Sequence, residues 1–136
     1  MKKIIFIIIF TGISYICAFF LYPHALKKLF NISGTITIAE KHKKKPNAML
    51  FIVLKNKGNI PLAVKKIINP SFPIEFTLTA ADLIMPDLLS GKLYIEAYLN
   101  NHGVLGIRKS GDMIGKLKKP IFVNSKKIEI SLSKKQ

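Results

Sequence analysis

Hydrophobic positions fall into two regimes along this chain. The first is continuous: after Met1-Lys2-Lys3, the nineteen residues Ile4 to Tyr22 carry no charge. A helix rising about 1.5 Å per residue makes that run roughly 28 Å long, close to the hydrocarbon thickness of a bilayer. The second regime begins near Ile32 and has period two. Ile32, Ile36 and Ile38 share one face and Ser33, Thr35 and Thr37 the other, which predicts a strand with one wet side. Met49 to Leu54 is apolar without interruption, as a central strand covered on both faces requires. Asn56-Lys57-Gly58-Asn59 is a turn signal, and Pro61 precedes the next strand, Leu62 to Ile68. Phe72, Ile74, Phe76 and Leu78 alternate with Ser71, Glu75 and Thr77.

Thr79 then caps one helical turn, Ala80 to Met85, with Asp82 at capping-box spacing and Pro86 as the stop. Leu93, Ile95, Ala97 and Leu99 alternate again, and Asn100-Asn101-His102-Gly103 turns the chain. Val104 to Arg108 reads as the returning strand and Gly111 to Asn124 as a loop. Ile128, Ile130 and Leu132 form the last strand, with Lys127, Glu129 and Ser131 outside. The expected fold is all-β: a small antiparallel β-sandwich, or small barrel, of six to seven strands preceded by one N-terminal transmembrane helix. Residues 1–22 read as a membrane anchor or uncleaved signal, 23–31 as a linker and 32–136 as one extracytoplasmic domain.

Charge and cysteine usage narrow the classes. Ile16-Cys17-Ala18 is a loose cleavage pattern, but the apolar run continues through Leu21, as in an uncleaved anchor. Lipidation of Cys17 is disfavoured by Ile16 just before it. Lys2 and Lys3 flank one end of the run and Lys27 and Lys28 the other, so the lysine rule for orientation is nearly tied. The short tail favours a domain outside the cytoplasm, on a single-pass cytoplasmic (inner) membrane anchor facing the periplasm. No Cys follows Cys17, which excludes disulfides, thiolate metal sites and covalent haem attachment. The formal net charge is +15, yet Arg108 is the only arginine among 22 basic residues. Readers of phosphate and nucleic acid usually rely on Arg, and the Tyr94/Tyr98 pair beside Lys92 reads as cross-strand packing, so no nucleic-acid partner is expected.

Candidate chemistry is sparse. His24, His42 and His102 fall in three separate predicted loops, and no metal site is expected. Glu75, Glu96 and Glu129 fall on outward strand faces, where carboxylates sit across from lysines and titrate normally. With no Gly-x-Ser-x-Gly elbow, phosphate loop or His-Glu-x-x-His helix, neither an enzyme nor a cofactor is expected. Two features remain as partner-binding candidates: the loop with Lys41, Lys43, Lys44 and Lys45, and the strand segment Pro61, Leu62, Ala63, Val64 and Lys65. The lysine loop suits acidic segments or haem propionates, or simply protects an edge strand from aggregation. Gly111, Asp112 and Gly115 read as loop-shaping.

The order of Gly34-Thr35-Ile36, Met49 to Val53, Pro61-Leu62-Ala63-Val64-Lys65-Lys66, Phe72 to Leu78, Met85-Pro86 and Gly111-Asp112-Met113-Ile114-Gly115 resembles the C-terminal periplasmic domain of the CcmI (CycH) cytochrome c biogenesis proteins. The resemblance runs from Ile32 to Leu132. It implies a non-enzymatic role in c-type cytochrome maturation, with apocytochrome c or haem-ligation complex subunits as partners. The chain differs from that family in having neither a second membrane helix nor tetratricopeptide repeats before the β domain, which favours docking over direct grip on the client. Two rivals stay open: an envelope structural or binding protein engaging lipid headgroups or cell-wall polymer, and a metal or haem carrier.

Overall fold

The computed structural model describes residues 1–38, 47–89 and 91–134. Its first element is helix α1, Lys2–Leu29, with no buried residue along its length. It is long and apolar enough to cross a membrane. Thr11, one of its polar residues, donates from Oγ1 to the Ile7 carbonyl at 2.8 Å, satisfying the hydroxyl within the helix. The helix does not stop at Tyr22. It runs through Pro23 and the segment expected as a linker, so His24 is helical, and Phe30 already packs into the domain core.

Seven strands follow: β1 (Asn31–Ile38), β2 (Met49–Asn56), β3 (Pro61–Ile68), β4 (Ile74–Thr79), β5 (Leu93–Asn100), β6 (Met113–Lys116) and β7 (Ile128–Lys134). They form one sheet in the order β3-β2-β5-β6-β7-β1-β4, curled into a nearly closed barrel-like sandwich. The domain is thus β-rich after an N-terminal apolar helix, as expected. The sheet is mixed, however: β1 and β7 run parallel, Gly34 opposite Ile128 through Ile38 opposite Leu132, while every other pair is antiparallel. Gly34 lies so close to β7 that a Cβ there would stand 2.1 Å from the Ile128 carbonyl oxygen.

Period-two burial builds the core. Ile32 and Ile36 of β1, Leu50, Ile52 and Leu54 of β2, Leu78 of β4, Leu93, Ile95 and Leu99 of β5, and Ile130 of β7 are all sealed from solvent. Phe51 and Val53 are buried on the opposite face of β2, so that strand is indeed covered on both sides.

Three local expectations fail for physical reasons. Val104 to Arg108 is not a strand, because both edges of β5 are already taken by β2 and β6. The stretch from Gly111 to Asn124 is not loop throughout, since Met113–Lys116 is β6, and Gly115 is therefore a strand residue. Side-chain volume is excluded there: a Cβ on Gly115 would meet Ile130 Cγ2 at 2.6 Å and the Ser131 carbonyl oxygen at 2.7 Å. Finally, the turn after β4 is 3-10 over Ala80–Asp82, Asp82 accepting from the Thr79 N–H at 2.8 Å, and Pro86 opens a second short turn, Pro86–Leu88, instead of ending the first. Strand β4 starts at Ile74, because Pro73 has no N–H for the ladder.

Candidate functional site

The strand segment Pro61–Lys65 lies on β3, a terminal strand of the sheet. Leu62 and Ala63 are buried, Val64 and Lys65 half-buried and Pro61 exposed. The outer edge of β3 is only partly occupied. The Leu62 carbonyl accepts from the N–H groups of Ile84, at 2.8 Å, and Met85, at 3.2 Å, and Ala63 bridges Leu83. Farther along, Lys65 crosses to the other terminal strand: its Nζ donates to the Thr77 carbonyl at 2.8 Å and lies 3.6 Å from Asp82 Oδ2. The lysines Lys41, Lys43, Lys44 and Lys45 lie outside the described residues.

A polar cluster sits on the second face of the sheet, where Glu96 was expected to be solvated. Glu96 is only 8 % exposed. Lys55 of β2 donates to its Oε2 at 2.7 Å and Lys116 of β6 approaches Oε1 at 2.8 Å, so the carboxylate ties three strands together. Tyr98, two residues on and on the same face, donates its hydroxyl to Oε2. Burial pushes the Glu96 carboxyl up, but the hydrogen bonds from Lys116, Lys55 and Tyr98 and the Lys55 charge outweigh it and hold the group at about 2. Burial, reinforced by the bond to Glu96, raises Tyr98 to about 12. Both carboxylate oxygens are engaged and the group stays ionised, so it is a poor proton acceptor. This cluster ties strands together.

Over Val53 and Tyr98 on that face lies the segment after β5. Asn100, buried at the strand end, accepts from the Gly103 N–H at 2.9 Å and donates to the Val104 carbonyl at 3.0 Å, folding the chain back on itself. Residues 104–108 then lie across β2 and β5 and roof a cleft of about 290 Å³. Val53, Tyr98, Val104, Ile107 and Ile114 make its walls apolar; Arg108 and Asp112 bring one charge of each sign, and Lys55 lines it while paired with Glu96. Asp112 holds the far side of this loop, accepting from the Lys109 N–H at 2.8 Å and pairing with His102 Nε2 at 3.1 Å. Gly111 beside it has φ of 94°.

Neither the cleft nor the Glu96 cluster follows from the residue pattern read strand by strand. A signal was present nonetheless. A central strand covered on both faces, such as β2, must share that cover with its neighbour, which places Glu96 and Tyr98 beneath it. Among the described residues no group of three or more His, Cys, Asp or Glu side chains is placed to hold a metal ion.

Comparison with known proteins bears on this architecture directly. The family model of the cytochrome c-type biogenesis protein H Ig-like domain matches residues 32–133, the whole seven-stranded unit. An uncharacterized protein of Aquifex aeolicus (strain VF5) is 29 % identical over 89 residues, which is 62 % of this chain and 59 % of that protein. The chain thus matches well under two thirds of that relative's length. Among solved structures, an alternative pilotin from the type II secretion system of Vibrio cholerae superposes with a TM-score of 0.53 at 17 % identity, covering 75 % of this chain and 93 % of the pilotin. At that identity the likeness is one of fold alone.

Proposed function

The chain belongs to the family of the cytochrome c-type biogenesis protein H Ig-like domain, and from that premise we propose that it is a membrane-tethered, non-enzymatic accessory factor in c-type cytochrome maturation. In this reading α1 is a single-pass anchor in the cytoplasmic membrane, the β domain faces the periplasm, and the domain docks apocytochrome c or subunits of the haem-ligation complex. The observation that carries the reading is the family match across residues 32–133.

The geometry is compatible with docking. Tethering beside the membrane raises the effective concentration toward other membrane-bound components without any added contact. Two surfaces suit an unfolded client. The edge of β3 beyond Lys65, ending at exposed Ile68, can pair with an extended peptide by strand addition. The cleft beneath residues 104–108 offers apolar walls for one client side chain, with Arg108 at its rim. The lysines Lys41, Lys43, Lys44 and Lys45 are a further candidate contact for acidic segments.

Crosslinking of the tagged full-length protein in native membranes, followed by mass spectrometry, tests this. Recovery of apocytochrome or haem-ligation subunits supports the proposal. Recovery of only lipid-associated or cell-wall components overturns it in favour of an envelope-binding protein built on the same fold.

A further inference from the structure

The strand directions sort the described connections to one of two ends of the barrel. β1 and β7 start, and β4 and β6 finish, at the end where α1 enters. The register of β2, β3 and β5 brings the Asn56–Ile60 turn and the start of β5 to the same end. Residues 80–89, 91–92 and 117–127 therefore lie there too.

This helix-side end carries several exposed apolar side chains. Phe122 is 55 % exposed, Ile84 54 %, and Ile60, Met85 and Leu88 are exposed as well. Interspersed with them are the exposed side chains of Lys27, Lys28, Lys57, Lys92, Lys118 and Lys119. Among the described residues of the loops at this end the carboxylates are Asp82 and Asp87, and Asp82 is already bonded to Thr79 and near Lys65. Apolar tips within a lysine field are the composition that partitions into an anionic headgroup layer.

The helix fixes how far this end stands from a membrane. The uncharged run ends at Tyr22, and residues 23–29 continue the helix by about 10 Å. Leu26 packs against the core and Phe30 is buried in it, so little chain is left to hold the barrel away. The headgroup layer on each side of the hydrocarbon is itself roughly 5–8 Å deep. We propose that the helix-side end of the β domain, through Phe122, Leu88, Ile84 and Met85 and the surrounding lysines, inserts into the interfacial layer of an anionic phospholipid membrane. The barrel then stands on the bilayer in a fixed pose, and the cleft beneath residues 104–108 lies on its flank. This inference rests on the reading of α1 as a membrane anchor.

The chain contains no tryptophan, so a single introduced Trp reports its own depth. The full chain is reconstituted in vesicles of phosphatidylcholine with phosphatidylglycerol, using lipids brominated near the headgroup as quenchers. Phe122→Trp and Leu88→Trp are expected to be quenched and blue-shifted, while Ser71→Trp, at the opposite end, is neither. Lys118→Glu with Lys119→Glu is expected to abolish most of the Phe122→Trp quenching. Phe10→Trp, read with deeply brominated chains, reports the anchor separately. Quenching of Phe10→Trp without quenching of Phe122→Trp and Leu88→Trp overturns the docking inference and leaves the anchor standing. Absence of Phe10→Trp quenching removes both. Quenching of Phe122→Trp that survives the double charge reversal contradicts the role given to the lysines.

Discussion

Lys65 on one terminal strand of the sheet donates its Nζ to the backbone carbonyl of Thr77 on the other, 2.8 Å away. No backbone ladder joins β3 to β4 among the described residues, and this side chain spans the gap. A lysine in such a position both closes the barrel and discourages edge-to-edge pairing with another sheet. Lys65→Met keeps the aliphatic stem and removes the bond. It is expected to cost about 0.5–1.5 kcal/mol in urea unfolding. Backbone amides of β3 and β4 should exchange faster with deuterium, while those of β2 and β5 keep their protection.

Glu96 makes the stability of the domain depend on acid. Its carboxyl is held at about 2 in the fold against an ordinary 4.5. A depressed pKa contributes stability that is complete above the unfolded value and is lost as pH falls through the folded one. Glu96→Gln is therefore expected to destabilise the protein by about 2–3 kcal/mol near neutral pH, leaving Lys55 half-buried without its anion. The gap between the two proteins should close as pH drops from about 5 to about 2. Urea titrations of both proteins across that window check this, and a constant gap contradicts it.

Two glycines set how closely β7 packs against its neighbours. Gly34→Ala drives a methyl into the Ile128 backbone, and Gly115→Ala drives one into Ile130 and the Ser131 carbonyl. Backbone cannot yield as a flexible side-chain tip can, so each change is expected to cost about 1–3 kcal/mol. Gly91→Ala, with open space around its Cβ position, serves as the control and should change stability little. Thermal unfolding of the three variants separates the two groups.

Much of the fold was legible because burial writes itself into period-two alternation. The strands at Ile32–Ile38, Leu93–Leu99 and Ile128–Leu132 and the apolar strand from Met49 all lie where the pattern places them. What escaped depends on partners far away in sequence. β6 is four residues long and contains a glycine demanded by β7, so nothing within Met113–Lys116 announces a strand. Val104 to Arg108 carries strand-like residues but finds both edges of β5 taken and becomes a roof over Tyr98 instead. Glu96 looked solvated because its own strand alternates; Lys55, Lys116 and Tyr98 from three strands converge on it instead. The parallel β1–β7 pair joins opposite ends of the chain, and no local pattern encodes it.

The measurement that bears most directly on the assembly role is the amount of covalently bound haem in c-type cytochromes after deletion of the gene. Loss of haem-loaded c-type cytochromes, restored by the full-length chain but not by residues 30–136 without the helix, is the predicted result. Unchanged cytochromes in the deletion strain would contradict the account.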